Sequence, residues 1–158
     1  MSPLAYYALW LVLGLVAVAA VSAAFTRLMR RREQALVLAE ALARHSVWVA
    51  AQRSRLELAP RRDEADAALQ QAQEVQARWF PHLAPALATV MQVDQRIEGF
   101  LMHQRRLRFH DPEAWLESDH DQQFMSLWRE YLEAIEGVTA RLERATGEVP
   151  GFVRHGPV

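Results

Sequence analysis

Residues 4–25 read LAYYALWLVLGLVAVAAVSAAF, twenty-two residues without a charged side chain. As a helix this stretch is about 33 Å long, the thickness of a bilayer's hydrocarbon core. Tyr6, Tyr7 and Trp10 gather toward one end, where amphipathic rings favour the membrane–water interface. A core helix of a small soluble domain is seldom apolar on every face over such a length. A cleaved secretory signal is the main competitor. It calls for a basic start and a shorter apolar run. Only Ser2 and Pro3 separate Met1 from the run and no Arg precedes it, although Ser22-Ala23-Ala24 has the small residues of a cleavage site. The preferred reading is a single transmembrane helix of a bacterial-type inner-membrane protein.

Arg27, Arg30, Arg31 and Arg32 follow the apolar run directly. Positive residues flanking a span stay in the cytoplasm, so the expected orientation is N-terminus outside and C-terminal domain cytoplasmic. Residues 35–51 are the next most apolar stretch, but Glu40, Arg44 and His45 interrupt it and it is too short to span.

Working outward, residues 26–58 contain neither Pro nor Gly, which predicts that the apolar helix continues past its Arg collar. Leu28, Ala35, Leu42, Val49 and Leu56 recur every seven residues, with Arg31, Leu38, His45 and Gln52 at the intervening seam positions. Pro60, Arg61 and Arg62 mark a break. A second helix is expected over 63–79, with a thin stripe of Ala65, Ala68, Ala72, Val75 and Trp79. Pro81 and Pro85 in FPHLAP make the next turn. A third helix then carries Ala86, Val90, Val93, Ile97, Phe100 and Leu107 on one face, with Gln104 as a polar member.

His110-Asp111-Pro112-Glu113 reads as a helix start, with Asp111 as N-cap and Pro112 at the first position. Ser118 with Asp121 suggests a second start of the capping-box kind. The last helix has the cleanest period: Phe124, Trp128, Tyr131, Ile135, Val138, Leu142 and Ala145, spaced alternately by four and three. Gly147 is its natural C-cap. No strand-period segment competes. The expectation is an all-α protein, a transmembrane helix running into a cytoplasmic bundle of three to four helices. Its parts are the N-terminal segment and span (1–25), a basic juxtamembrane helix (26–59), the helical bundle (60–147) and a flexible tail (148–158).

Charge divides the same way. Residues 26–62 hold nine Arg against three acids, and residues 63–158 nine Arg against sixteen. A basic collar next to an acidic domain suits anionic headgroups or docking of the two parts, and argues against a nucleic-acid partner. Every basic residue is Arg, and the chain lacks Cys. Lysine Schiff bases, thiolate nucleophiles, disulfides and thiolate metal sites are therefore excluded.

The remaining chemistry is His and carboxylate. His103, His110, Asp111, Asp119, His120 and Asp121 are close in sequence, but their spacing matches no helix-turn metal motif, and three of the acids already serve as caps. The His110-Asp111 pair resembles that of metal-dependent phosphohydrolases in two residues only, and no other ligand position matches. Ser46, Ser118 and Ser126 lack an elbow, and the six Gly are scattered, so neither a nucleophilic serine nor a phosphate loop is supported. The Arg105-Arg106-x-Arg108 run suits the dipole of a helix end. His45, on the first seam, would most simply be partly exposed or satisfied by a hydrogen bond, and otherwise a buried pH sensor.

Trp48 and Trp115 have no evident burial slot; burial against a neighbouring helix of the bundle is the simpler account, and otherwise they are the candidate partner anchors. No catalytic residue, cofactor site or metal ligand is assigned. The expected function is a non-enzymatic, membrane-tethered interaction or scaffold module whose partners are the bilayer and a second copy or another membrane protein. Small residues Ala17, Ala20 and Ala24 would allow close helix approach within the span. The rivals are a ligand-binding or sensor bundle using His45, His103 or His110, and a His/Asp metalloenzyme.

Overall fold

The structure, a computed structural model, describes residues 3–53 and 62–147, with the backbone alone at residues 3–6, 8 and 9. Helix α1 is Pro3–Ala51, α2 is Arg62–Trp79, α3 is Ala84–His110, α4 is Pro112–Glu117 and α5 is His120–Thr146. A 3-10 turn, Pro81–Leu83, joins α2 to α3. The protein is all-helical, with no strand among the described residues.

α1 is 49 residues long without a break, which is about 74 Å at the helical rise. It has two regimes. Residues 10–30 are exposed throughout, and Leu15 is 76% exposed although nothing in this stretch up to Thr26 is charged. This is the one helix long and apolar enough to cross a membrane among the described residues, a description that a membrane anchor and a signal sequence share. From residue 35 the pattern changes: Ala35, Leu38, Leu42, His45, Val49 and Gln52 are buried, at spacings of three and four. From Ala35 to Gln52 the stripe read from the sequence is therefore a core face, including its polar members His45 and Gln52, whereas Arg31 is half-buried and Leu28 above it is exposed.

The helix ends at Ala51, short of the expected end near Leu58. Gln52 and Arg53 N–H donate to the Val49 and Ala50 carbonyls at 3.1 and 3.2 Å, a tightened last turn, and the Gln52 side-chain amide donates to the Trp48 carbonyl at 3.3 Å. Leu56, Pro60 and Arg61 lie outside the described residues, as do Tyr6's side chain and the tail 148–158.

α2 runs antiparallel to α1. Arg44 Nη2 donates to Gln71 Oε1 at 2.5 Å, and Arg31 lies over the Phe80 ring, 5.5 Å from its centre. Phe80 stops α2 because Pro81 follows: its backbone leaves the helical region (φ −135°, ψ 55°) and its carbonyl accepts from the Gln76 side chain at 3.1 Å. α5 is antiparallel to α1 as well, tied by His45 to Tyr131 and by Arg53 to Asp121. One core is shared by the distal half of α1 with α2, α3 and α5. Leu38, Leu42, Phe80, Leu83, Ile97, Ile135 and Leu142 are among its closed members. α2 makes little close contact with α3; Gln73 meets Met91 and Arg62 pairs with Glu98 across the two helices.

Local signals place the distal turns. Asp111 Oδ1 accepts from Ala114 N–H at 3.0 Å, capping α4 with Pro112 at its first position, as expected. Gly147 takes the left-handed C-cap of α5 (φ 79°). The capping box from Ser118 does not form. Ser118 terminates α4, its hydroxyl donating to the Trp115 carbonyl at 2.7 Å, and Asp119 is the N-cap of α5 without a side-chain bond.

Candidate functional site

The only titratable groups that the core stripes bring together among the described residues are His45 on α1, Asp94 on α3 and Tyr131 on α5. Each occupies a helical core position. Tyr131 belongs to the Phe124–Trp128–Tyr131–Ile135 series, and Asp94 falls between Val90 and Ile97. The Tyr131 hydroxyl is 2.5 Å from His45 Nδ1, and His45 Nε2 is 3.6 Å from Asp94 Oδ1, just beyond hydrogen-bond range. Trp128 stacks on Tyr131 with ring centres 5.7 Å apart, and Trp48 stands 6.0 Å from His45.

Burial dominates the electrostatics of this layer. It lowers His45 to about 4, with only partial opposition from Asp66. It raises Asp94 to about 6, helped by Glu98 and opposed by Arg62. Burial, with the nearby Asp94 charge, also pushes the Tyr131 phenol upward. At neutral pH the imidazole is thus neutral, the carboxylate ionised and the phenol protonated. Tyr131 O–H then donates to Nδ1, which leaves the imidazole proton on Nε2, facing Asp94; this tautomer follows from the partners.

The order phenol, imidazole, carboxylate parallels a nucleophile, base and orienting acid. Access decides against such use. Tyr131 is 0% and His45 2% exposed, so no substrate atom reaches either. The layer leads outward only through Asp94, next to half-buried Glu98, whose partner Arg62 also meets Asp66 at 3.3 Å.

Behind Trp48 lies an open groove of about 750 Å3 between α1 and α2, a volume within the range of small-molecule sites. Ala43, Val47, Trp48, Ala65 and Ala68 form its apolar part, and Glu40 and Glu64 stand at its rim. The alanine stripe of α2 creates it, because side chains that small leave the space between the helices unfilled.

At the opposite face of the α1 terminus, Trp115 is half-buried. It stacks on His120 at 4.4 Å, with the Arg108 guanidinium 5.2 Å from its ring centre. Of the two tryptophans singled out from the sequence, Trp48 thus walls the groove and Trp115 packs with His120 and Arg108. Arg27, Arg30 and Arg32 are exposed, whereas Arg31 is drawn onto Phe80.

His103 and His110 are exposed and reach neither the buried layer nor the groove. Asp111 is occupied as a cap, and Asp121 is held by Arg53 at 2.8 and 3.0 Å. No three His or carboxylate groups converge as for a metal ion among the described residues. Asp94 was not singled out from the sequence. Its signal was legible: an acid at the middle of the Val90–Asp94–Ile97 spacing, on a buried face.

The chain matches no protein-family model, no curated protein and no solved structure.

Proposed function

We propose that this protein is a single-pass, inner-membrane-anchored helical bundle, with its N-terminus outside and its domain in the cytoplasm, acting by interaction and not by catalysis. The observation that carries the anchor is the exposed stretch of α1. Leu11, Val12, Leu15, Val16, Val18, Val21 and Phe25 are 60–76% exposed, with no surface of the described residues covering them. Left in water, so continuous an apolar surface is a strong liability, and a bilayer removes it. Arg27, Arg30 and Arg32, exposed just below it, supply the orientation and suit anionic lipid headgroups.

The interaction role draws support from the enclosure of the one arranged polar trio and from the groove beside Trp48, which offers a surface where a second copy or another membrane protein could dock. Nucleic acid is not an expected partner. Alkaline extraction of native membranes, with reporter fusions at both ends, tests the anchor and its direction. Retention in the membrane with a cytoplasmic C-terminal reporter is expected. Release, or a periplasmic C-terminal reporter, contradicts it. Sedimentation of the detergent-solubilised chain tests self-association, and a monomer removes the second copy from the partners.

A sensor is the second reading, favoured by the buried His45–Asp94–Tyr131 layer linking α1 to α3 and α5. Amide exchange across these helices between pH 5 and 7.5 tests it. Unchanged protection of α1 and α5 rules it out.

A further inference from the structure

Two residues on different elements line one small cavity at the tip, and each holds a buried polar atom without a hydrogen-bond partner among the described residues. The atoms are Gln104 Oε1 on α3, in a side chain of a residue 5% exposed, and the buried Nε1 of Trp115 on α4. The cavity measures about 30 Å3, and Gln52, Phe100 and Phe124 contribute to its wall. An indole N–H can only donate, and an amide oxygen can only accept. A single occupant serving both must accept one hydrogen bond and donate another. A metal ion or ammonium cannot accept from the indole, and a halide cannot donate to the amide. The volume exceeds the roughly 10–15 Å3 that a water needs and falls far below the roughly 300 Å3 of a small-molecule site.

We propose that this cavity binds an ordered water molecule, which accepts from Trp115 Nε1–H, donates to Gln104 Oε1 and so latches α4 onto α3. The site accounts for two oddities of the sequence at once: a glutamine in the apolar face of α3, and a tryptophan without an evident slot. It also answers what holds α4, none of whose residues is fully buried. Arg108 and His120 pack on the indole ring, and the water fixes its edge. Arg53 and Asp121, at the wall of the same cavity, pair with each other.

The full chain in lipid nanodiscs, labelled with 15N-tryptophan, provides the test. Trp115→Phe identifies the indole resonance among the five tryptophans. A direct cross-peak from bulk-exchangeable water to that N–H, lost in Gln104→Met, is expected. Absence of the cross-peak in the natural chain, as for a direct Gln104–Trp115 bond, overturns the proposal, and so does its persistence in Gln104→Met. Melting gives an independent arm that requires only the variants' transitions. Gln104→Met and Trp115→Phe should each lower the melting temperature by a few degrees, and the double variant should fall no further than the worse single one. Fully additive losses contradict a shared water.

Discussion

The Tyr131 hydroxyl lies 2.5 Å from Nδ1 of His45, joining two residues 86 positions apart in the closed core where α5 crosses α1. Among the described residues the phenol is the hydrogen-bond partner of that ring nitrogen, and both residues are shut off from water. Tyr131→Phe leaves the imidazole nitrogen buried and unpaired. The expected loss is about 1–3 kcal/mol of folding stability, read from chemical denaturation of the detergent-solubilised chain. A change within error would mean that the contact carries no net stabilisation.

The neighbouring His45–Asp94 pair sets a pH signature. Burial depresses His45 from 6.5 to about 4, so the unfolded chain takes up that proton first and stability falls as pH drops from 6.5 to 4. Burial raises Asp94 from 3.8 to about 6, so the folded chain takes up that proton first. Its contribution is full below 3.8 and is lost as pH rises through 6. Between pH 4 and 6 the two proton uptakes oppose each other, and the pair adds little slope. Removing one partner exposes the other. Relative to the natural chain, His45→Leu should gain stability from pH 6.5 to 4, whereas Asp94→Asn should lose it. Melting temperatures across that range check the signs, and slopes of the same sign in both variants would refute the assignment.

Phe80, between α2 and the 3-10 turn, and Phe109, in the last turn of α3, make a matched comparison. Phe80 is fully buried below Arg31, where α1 leaves the core, whereas Phe109 is 84% exposed. Phe80→Ala should cost about 3–5 kcal/mol, and Phe109→Ala no more than about 0.5 kcal/mol. Equal effects in denaturant unfolding would contradict the placement of the core.

Sequence period alone reached much of this arrangement, for a physical reason. Residues such as Leu42, Val90, Ile135 and Leu142 are buried because burial and the 3.6-residue turn act together, and both are visible in a single chain. Asp111 and Gly147 were legible because a cap depends on a few adjacent residues. Ser118 was misread because its hydroxyl has two nearby uses, and closing α4 through the Trp115 carbonyl wins over opening α5. The meeting of His45, Asp94 and Tyr131 depends on helix register between distant segments, which no local spacing encodes. The same holds for Gln104 and Trp115, each of which looks anomalous alone and is explained by the cavity they share.

The central claim is that one rigid helix runs from the bilayer into the domain core. α1 is unbroken from its exposed apolar stretch to the buried residues Leu38, Leu42 and His45. Because the chain has no cysteine, single labels can be placed without background. Val18 and Val47 are both exposed on α1, and as one helix their backbones stand about 44 Å apart. Spin labels on the Val18→Cys/Val47→Cys variant in lipid nanodiscs, measured by pulsed dipolar spectroscopy, test this most directly. A single narrow distance distribution centred near that value is predicted, broadening when a Gly-Ser stretch is inserted after Arg32. A broad or much shorter distribution in the uninterrupted chain would contradict the account, because the apolar segment would then be a tether and not part of the domain.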